Sequence, residues 1–427
     1  MKKLTLVATA IMGLLSTSAV MAQSTVTVYG IVDAGYNRVS GLRNGTANHI
    51  ASGIMEGSRF GLRGTEDIGG GYKAIFTLEN RFEVDTGSLS NTPASGTQLP
   101  DRMSTAAGLG LALPIPAATT AALINGVNAS IGGTLGVNLP GAGTSRLFDR
   151  QAFVGLITPV GAITLGRQYT PGYLVGATFD ASQTQSSLAA GQIASFPPAF
   201  DIRLSNTVQY GIKVDGLTAA VMYGAGEVAS TVGNSAGRFF GGMAIYKGNS
   251  FSVGFGHNQR NNELGQKSLE NNVLGATVDI GPGTLYGQYA TIKDENPSGL
   301  STIGTTVTGL SGSAVVGAAF QTAYNNAFKQ DATLAHIGYR LTSGAHTWVV
   351  AYNRLDDKRA ADADTSSYGA TYTYALSKRT NLNAVLTRFN NRGSGQAAPG
   401  GNGFLGGVTS AAGRDSTNIA FGIRHTF

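Results

Sequence analysis

The sequence predicts an all-β chain, and within that class a 16-stranded antiparallel transmembrane β-barrel with one connection folded into its lumen. Three observations carry this. Apolar and polar residues alternate with period two through short segments along the whole chain. The connections between segments alternate between short and long, the rhythm of periplasmic turns and extracellular loops. Charged residues are only 13% of the chain and mean hydropathy is +0.03, yet no long apolar helix follows the first 22 residues. Soluble domains carry about 25% charged residues. The apolar residues must therefore be spread one in two along strands.

Residues 1–22 read as a secretory signal. Met1-Lys2-Lys3 is a charged start, Leu4 to Leu15 a short apolar run, and Val20-Met21-Ala22 a small-residue cleavage site. That run is shorter than the ~20 residues a spanning helix needs. The barrel domain is then 23–427, and losing Lys2 and Lys3 lowers the formal net charge from +6 to +4. Cysteine is absent, so disulfides play no part, and 61 glycines argue against helices. The pI of 9.4 raises the question of nucleic acid. The basic residues are scattered without a patch or stripe, so no nucleic-acid partner is expected.

Taken in order, Ser24 to Tyr36 alternates cleanly, and Ser58 to Arg63 sets Phe60 and Leu62 against Arg59 and Arg63. After the turn Asp67-Ile-Gly-Gly-Gly71, a third strand separates Lys73, Glu79, Arg81 and Glu83 from Tyr72, Phe76, Leu78 and Phe82. Thirteen further segments follow, near 147–157, 161–169, 202–213, 216–223, 237–247, 250–260, 270–280, 283–292, 331–342, 345–354, 365–376, 379–390 and 416–427. Each is close to the ~9–11 residues of a tilted membrane strand. An even number closes the sheet and leaves no edge in lipid. In the last strand Ile419, Phe421, Ile423 and Phe427 oppose Asn418, Gly422, Arg424 and Thr426. Tyr246, Phe251, Tyr289, Tyr339, Trp348, Tyr352, Phe389 and Phe427 fit interfacial girdles on the outer face.

The long connections are 38–52, 85–146, 170–201, 224–236, 293–330, 355–364 and 391–415. Residues 170–201 are too long and too rich in Pro, Gly and Ser for a strand, and they hold Asp180 and Asp201 just before Arg203. We expect this connection to fold back and narrow the lumen. Residues 85–146 carry no charge from Met103 to Ser145; a membrane-spanning helix is possible on length, but Pro114, Pro116 and several glycines make it a poor one. They read as an extracellular loop that covers part of its own mouth or latches a neighbouring subunit, or as a disordered insertion.

Mid-membrane arginine facing lipid costs ~2–4 kcal/mol, so alternation turns Arg59, Arg63, Arg81 and Arg150 toward water. Asp33, Lys73, Glu79 and Glu83 should line the lumen with them. Catalytic patterns do not survive context. Gly233-Asn-Ser-Ala-Gly237 falls in a loop rather than on a strand–turn–helix elbow. The five histidines lack metal-ligand spacing, and Gly254-Phe-Gly256 precedes neither helix nor lysine. Neither an enzyme, a cofactor nor a metal is expected.

Several stretches resemble the general diffusion porins of Gram-negative outer membranes. They are Val28-Tyr-Gly-Ile-Val-Asp-Ala-Gly35, Ser58 to Gly71, Phe148 to Leu156, Leu165 to Thr170 and Ile423-Arg-His-Thr-Phe427. The resemblance implies a homotrimer in outer-membrane lipid and lipopolysaccharide, passing small hydrophilic solutes and ions. It implies a constriction of wall arginines at Arg59, Arg150 and Arg203 facing loop acids, here Asp180 with Asp201 nearby. It implies that Phe427 is read by the outer-membrane assembly machinery. The family's Pro-Glu-Phe-Gly loop element is missing, and Ile31 stands where some members carry a lysine. Arginines outnumber loop acids, which points to a mild anion preference. Two other readings stay open: a solute-specific anion channel using the same arginines, and a barrel whose long loops serve adhesion.

Overall fold

A computed structural model describes residues 25–89, 99–134, 146–184, 186–193, 200–226, 232–399 and 407–427. The expected leader, Gln185 and the segment Phe196-Pro-Pro-Ala lie outside the described residues.

Seventeen strands form one closed antiparallel sheet. They are β1 (Thr25–Leu42), β2 (Gly45–Ser52), β3 (Arg59–Gly69), β4 (Tyr72–Arg81), β5 (Gln151–Thr158), β6 (Gly161–Tyr169), β7 (Arg203–Val214), β8 (Leu217–Gly224) and β9 (Phe239–Lys247). There follow β10 (Phe251–Asn261), β11 (Lys267–Ile280), β12 (Gly283–Asp294), β13 (Gln330–Ser343), β14 (His346–Asp357), β15 (Thr365–Ala375), β16 (Thr380–Asn391) and β17 (Ser416–Thr426). From β3 onward each strand pairs with the next, and β17 pairs with β1 from Ile31↔Thr426 to Ser40↔Thr417. Phe427 and Gly30 exchange both backbone hydrogen bonds at 3.1 Å, sealing the lower seam.

The ring has sixteen places because β2 and β3 share one. The lower part of β1 pairs with β3 (Thr25↔Thr65 to Ile31↔Arg59), and the upper part with β2 (Ala34↔Ser52 to Leu42↔Gly45). The expected loop 38–52 is therefore mostly strand: β1 continues to Leu42 and turns back as a hairpin. A chain that climbs above β3 leaves its donors and acceptors unpaired on that side, and β2 supplies the partners.

Alternation decides the faces as expected. On β10, Phe251, Val253 and Phe255 are exposed outward while Ser252, Gly254 and Gly256 are buried inward. On β17, Ile419, Phe421 and Ile423 point out and Asn418 points in. Phe389 is a correction: it is fully buried on the inner face and packs in the core beneath the inward loop. No helix among the described residues is long and apolar enough to cross a membrane; the strands make the crossing.

Residues 170–201 do fold inward. The helix α3 (Pro171–Thr178) starts with Pro171 at its first turn, where a missing N–H costs nothing. It lies on the inner wall of β8 to β11, and glycines make the room. A Cβ on Gly275 would come within 2.3 Å of the Phe179 ring, one on Gly254 within 2.6 Å of it, and one on Gly256 within 2.9 Å of Val175. The loop then reaches β16 and β17, where the Ser187 hydroxyl meets Thr387 at 2.7 Å and Asn418 at 3.1 Å.

The two longest connections carry helices that the sequence reading did not anticipate, none of them a membrane span among the described residues. The first holds α1 (Asp101–Ser104) and α2 (Ala117–Thr134), and the second α4 (Ile303–Ser311) and α5 (Ala314–Phe328). Gly312 closes α4 in the left-handed conformation at φ +68°, and the Ser313 side chain caps α5. The helices of the two connections pack on each other. Together they bury one apolar core, described below.

Candidate functional site

A second inward segment is the feature that composes the site. Residues 53–58, between β2 and β3, are buried inside the barrel. Asp33 puts them there: its carboxylate accepts from the backbone N–H of Ile54 (3.0 Å), Met55 (2.9 Å) and Glu56 (2.8 Å). Asp33 was expected to line the lumen, and the inner side is where it lies. It is fully buried there, because three backbone donors need an acceptor away from water. The Glu56 carboxylate is thereby delivered between Arg59, which it pairs with directly, and Arg424, whose Nη1 donates to it at 2.7 Å.

Beside it, Glu79 on β4 accepts from Arg150 Nε at 2.6 Å and from the Tyr29 hydroxyl at 3.1 Å. Tyr169, at the end of β6, is the centre of the arrangement. Its hydroxyl accepts from Arg150 Nη2 and from Arg203 Nη2, both at 2.9 Å. Arg203 also lies over the Tyr169 ring, 4.4 Å from its centroid. Two guanidiniums on one phenol oxygen are held side by side without a carboxylate between them. Arg59, Arg150 and Arg203 thus converge on one wall, carried by β3, the start of β5 and the start of β7.

The acids differ from expectation. Asp180 does not face these arginines through any contact among the described residues. Its oxygens accept from Ser182 N (2.9 Å), Ser182 Oγ (2.6 Å) and Ala190 N (2.5 Å), so the carboxylate folds its own loop. A tight turn leaves several N–H groups without partners, and a nearby carboxylate satisfies them. Asp201 pairs with Arg260 on β10 at 2.9 Å, and Glu83 with Arg81 at 2.7 Å. Lys73 lies 3.8 Å from Asp67 near the lower rim, and Arg63 stacks on Tyr29.

The inward loop is pinned to the far wall by His336 and Arg340 of β13. His336 Nε2 accepts from Ala181 N at 3.0 Å, so Nδ1 carries the proton toward Asn353 Oδ1 at 2.7 Å. Arg340 donates to the carbonyls of Ala181 and Ser182. Glu56, Tyr169 and Arg340 escaped sequence reasoning as site residues, and Arg424 was placed on the inner face but not at the site. A carboxylate in Met55-Glu-Gly-Ser58 reads as an ordinary loop acid until Asp33 is seen to turn that loop inward.

The structure so far defines a closed barrel whose waist is lined by guanidiniums and narrowed by two inward segments, the architecture of a pore. The Gram-negative porin family matches residues 7–394, and the chain belongs to that family. It is 27% identical to outer membrane porin protein 32 of Delftia acidovorans over 442 residues, covering all of both chains. Its fold is similar to that of an anion-selective porin from Comamonas acidovorans, with TM-score 0.66, 23% identity, and coverage of 95% of this chain and 100% of that one. It is also similar to OmpT of Vibrio cholerae, with TM-score 0.56, 12% identity, and coverage of 97% and 99%. The protein is an outer-membrane channel for passive diffusion.

Proposed function

We propose that the channel is a general diffusion pore with mild anion preference, constricted at Arg59, Arg150, Arg203 and the loop around Asp180, and assembled as a homotrimer. One observation carries the charge preference: the inward acids are committed and several inward arginines are not. Glu56, Glu79, Glu83 and Asp201 each hold an arginine. Arg63, Arg203 and Arg340 have no carboxylate within 4.0 Å among the described residues, and the buried Nε of Arg203 has no acceptor among them. Arginine stays charged at any working pH, and a narrow passage between low-dielectric walls magnifies a small excess of one sign. The paired acids keep the preference mild.

The similarity to an anion-selective porin supports the sign, and an OmpT structure described as a trimer supports the assembly. Passage needs no energy source and no group that reacts. Lumen-lining roles for Arg63, Lys73 and Arg81, and an assembly-signal role for Phe427, belong to the same proposal. Lipopolysaccharide and the assembly machinery are its partners.

Replacing Arg59, Arg150 and Arg203 by Ala should raise single-channel conductance and move the reversal potential in a salt gradient toward cation preference. An unchanged reversal potential would refute the assignment. Flux that rises linearly with solute concentration fits a general pore, whereas block by one solute would favour a specific site.

A further inference from the structure

The insertion rooted on β4 and β5 and the insertion rooted on β12 and β13 leave the rim eight strand places apart, half of the sixteen-place ring in either direction. Yet they share one apolar core. Seven buried residues come from the first, among them Leu123, Val127 and Ile131, and seven from the second, among them Val307, Phe320 and Phe328. The Tyr324 hydroxyl donates across the join to Asn128 Oδ1 at 2.8 Å. Segments rooted on opposite sides of one rim share a core across the opening between them. Sixteen strands ~4.8 Å apart and tilted ~40° enclose a mouth on the order of 30 Å across. The 18 residues of α2 extend about 27 Å at ~1.5 Å per residue, a matching length.

The core is moored to four more rim connections. Arg43 of the β1–β2 hairpin donates to Asp101 at 2.5 Å and to Leu99 O at 3.2 Å. Gln396, between β16 and β17, accepts from Asp101 N and donates to its carboxylate. Glu263, between β10 and β11, accepts from the N–H groups of Gly299, Leu300 and Ser301 at 2.8 to 3.1 Å. Arg359, between β14 and β15, donates to Lys329 O. The described spanning parts themselves are neutral: 103–134 and 296–328 contain no Asp, Glu, Lys, Arg or His.

We propose that the two insertions form a single arch across the extracellular mouth, uncharged between its rim moorings, and that this arch limits the size of solute admitted while the arginine wall below sets the ion preference. The proposal rests on the channel reading and adds a specificity-determining element to it. An uncharged span leaves the field of the waist unopposed and acts on solutes by bulk alone.

The test replaces 299–328 by a short Gly-Ser linker and measures liposome swelling with neutral sugars of increasing size, together with the reversal potential in a salt gradient. The arch predicts that trisaccharides and tetrasaccharides gain several-fold on monosaccharides while the reversal potential stays where it was. A folded barrel with the same sugar ratios overturns it. The full-length variant Phe320→Asp, which puts a charge in the shared core, should shift the ratios the same way by a smaller amount. An unchanged ratio in that variant, with the β-sheet circular dichroism intact, also overturns it. The sugar ratio thus decides the arch, and the reversal potential of the unaltered protein separately decides the charge reading.

Discussion

The waist and the mouth of this channel are built on opposite principles. At the waist, charges are fixed by short hydrogen bonds on a rigid sheet: Glu79 to Arg150 at 2.6 Å, Glu56 to Arg424 at 2.7 Å, and two arginines on one tyrosine. At the mouth, neutral helices are fixed by apolar packing and moored to flexible-length connections. A charge in a narrow lumen acts through its field, so its position must be held closely. A steric span acts only by occupying space, and burial of ~1.5–3 kcal/mol per apolar side chain suffices to hold it. The separation lets ion preference and size limit vary independently.

Four substitutions sharpen this contrast. The largest effect belongs to Glu79→Gln. It leaves Arg150 without its carboxylate in a buried setting, where breaking a pair costs about 3–5 kcal/mol. Anion preference should rise and the urea midpoint of the detergent-folded barrel should fall; a midpoint equal to wild type would mean the pair is solvated. Next comes Phe320→Ala, which removes a fully buried ring from the arch at about 3–5 kcal/mol. Proteolysis within the insertions should speed up while the barrel itself resists, and equal protection would show that the helices do not depend on each other.

Gly275→Ala should cost about 1–3 kcal/mol, because its Cβ meets Phe179 at 2.3 Å and the inward loop must lift from the wall. Single-channel recordings should show altered conductance and more noise; a silent variant would place the loop elsewhere. The smallest effect is at Glu263. Burial pushes its carboxyl up, but the N–H donors of Gly299 and Ser301 outweigh this and hold it below the usual carboxylate range. A lowered value means the mooring is complete above the unfolded value, ~4.3, and is lost as pH falls through the folded one. Protection of the second insertion should therefore be flat from neutral pH to about pH 5 and decline below about pH 4. Glu263→Gln should abolish that acid dependence.

Much of the barrel was legible because period-two alternation is imposed by lipid on one side and water on the other. Arg59, Glu79 and Arg150 could be assigned to the inner face from their neighbours alone. The extra strand β2 was not legible, since Gly45–Ser52 belongs to a rim hairpin where no lipid enforces a pattern. The helices α2, α4 and α5 were not legible either. They lie outside the membrane, where no lipid enforces a pattern, and their apolar residues gather only where the two insertions meet in one core.

By itself the sequence determined the closed sheet, the face on which most strand side chains stand, with Phe389 an exception, and the connection that turns inward, all consequences of local periodicity and loop length. The tertiary structure alone decided which acid holds which arginine and where the neutral insertions come to rest. Glu79 and Arg150 are 71 residues apart and Glu56 and Arg424 are 368 apart. The first pair meets across the adjacent strands β4 and β5 after a long insertion, and the second only because β17 closes onto β1; no local pattern encodes either contact.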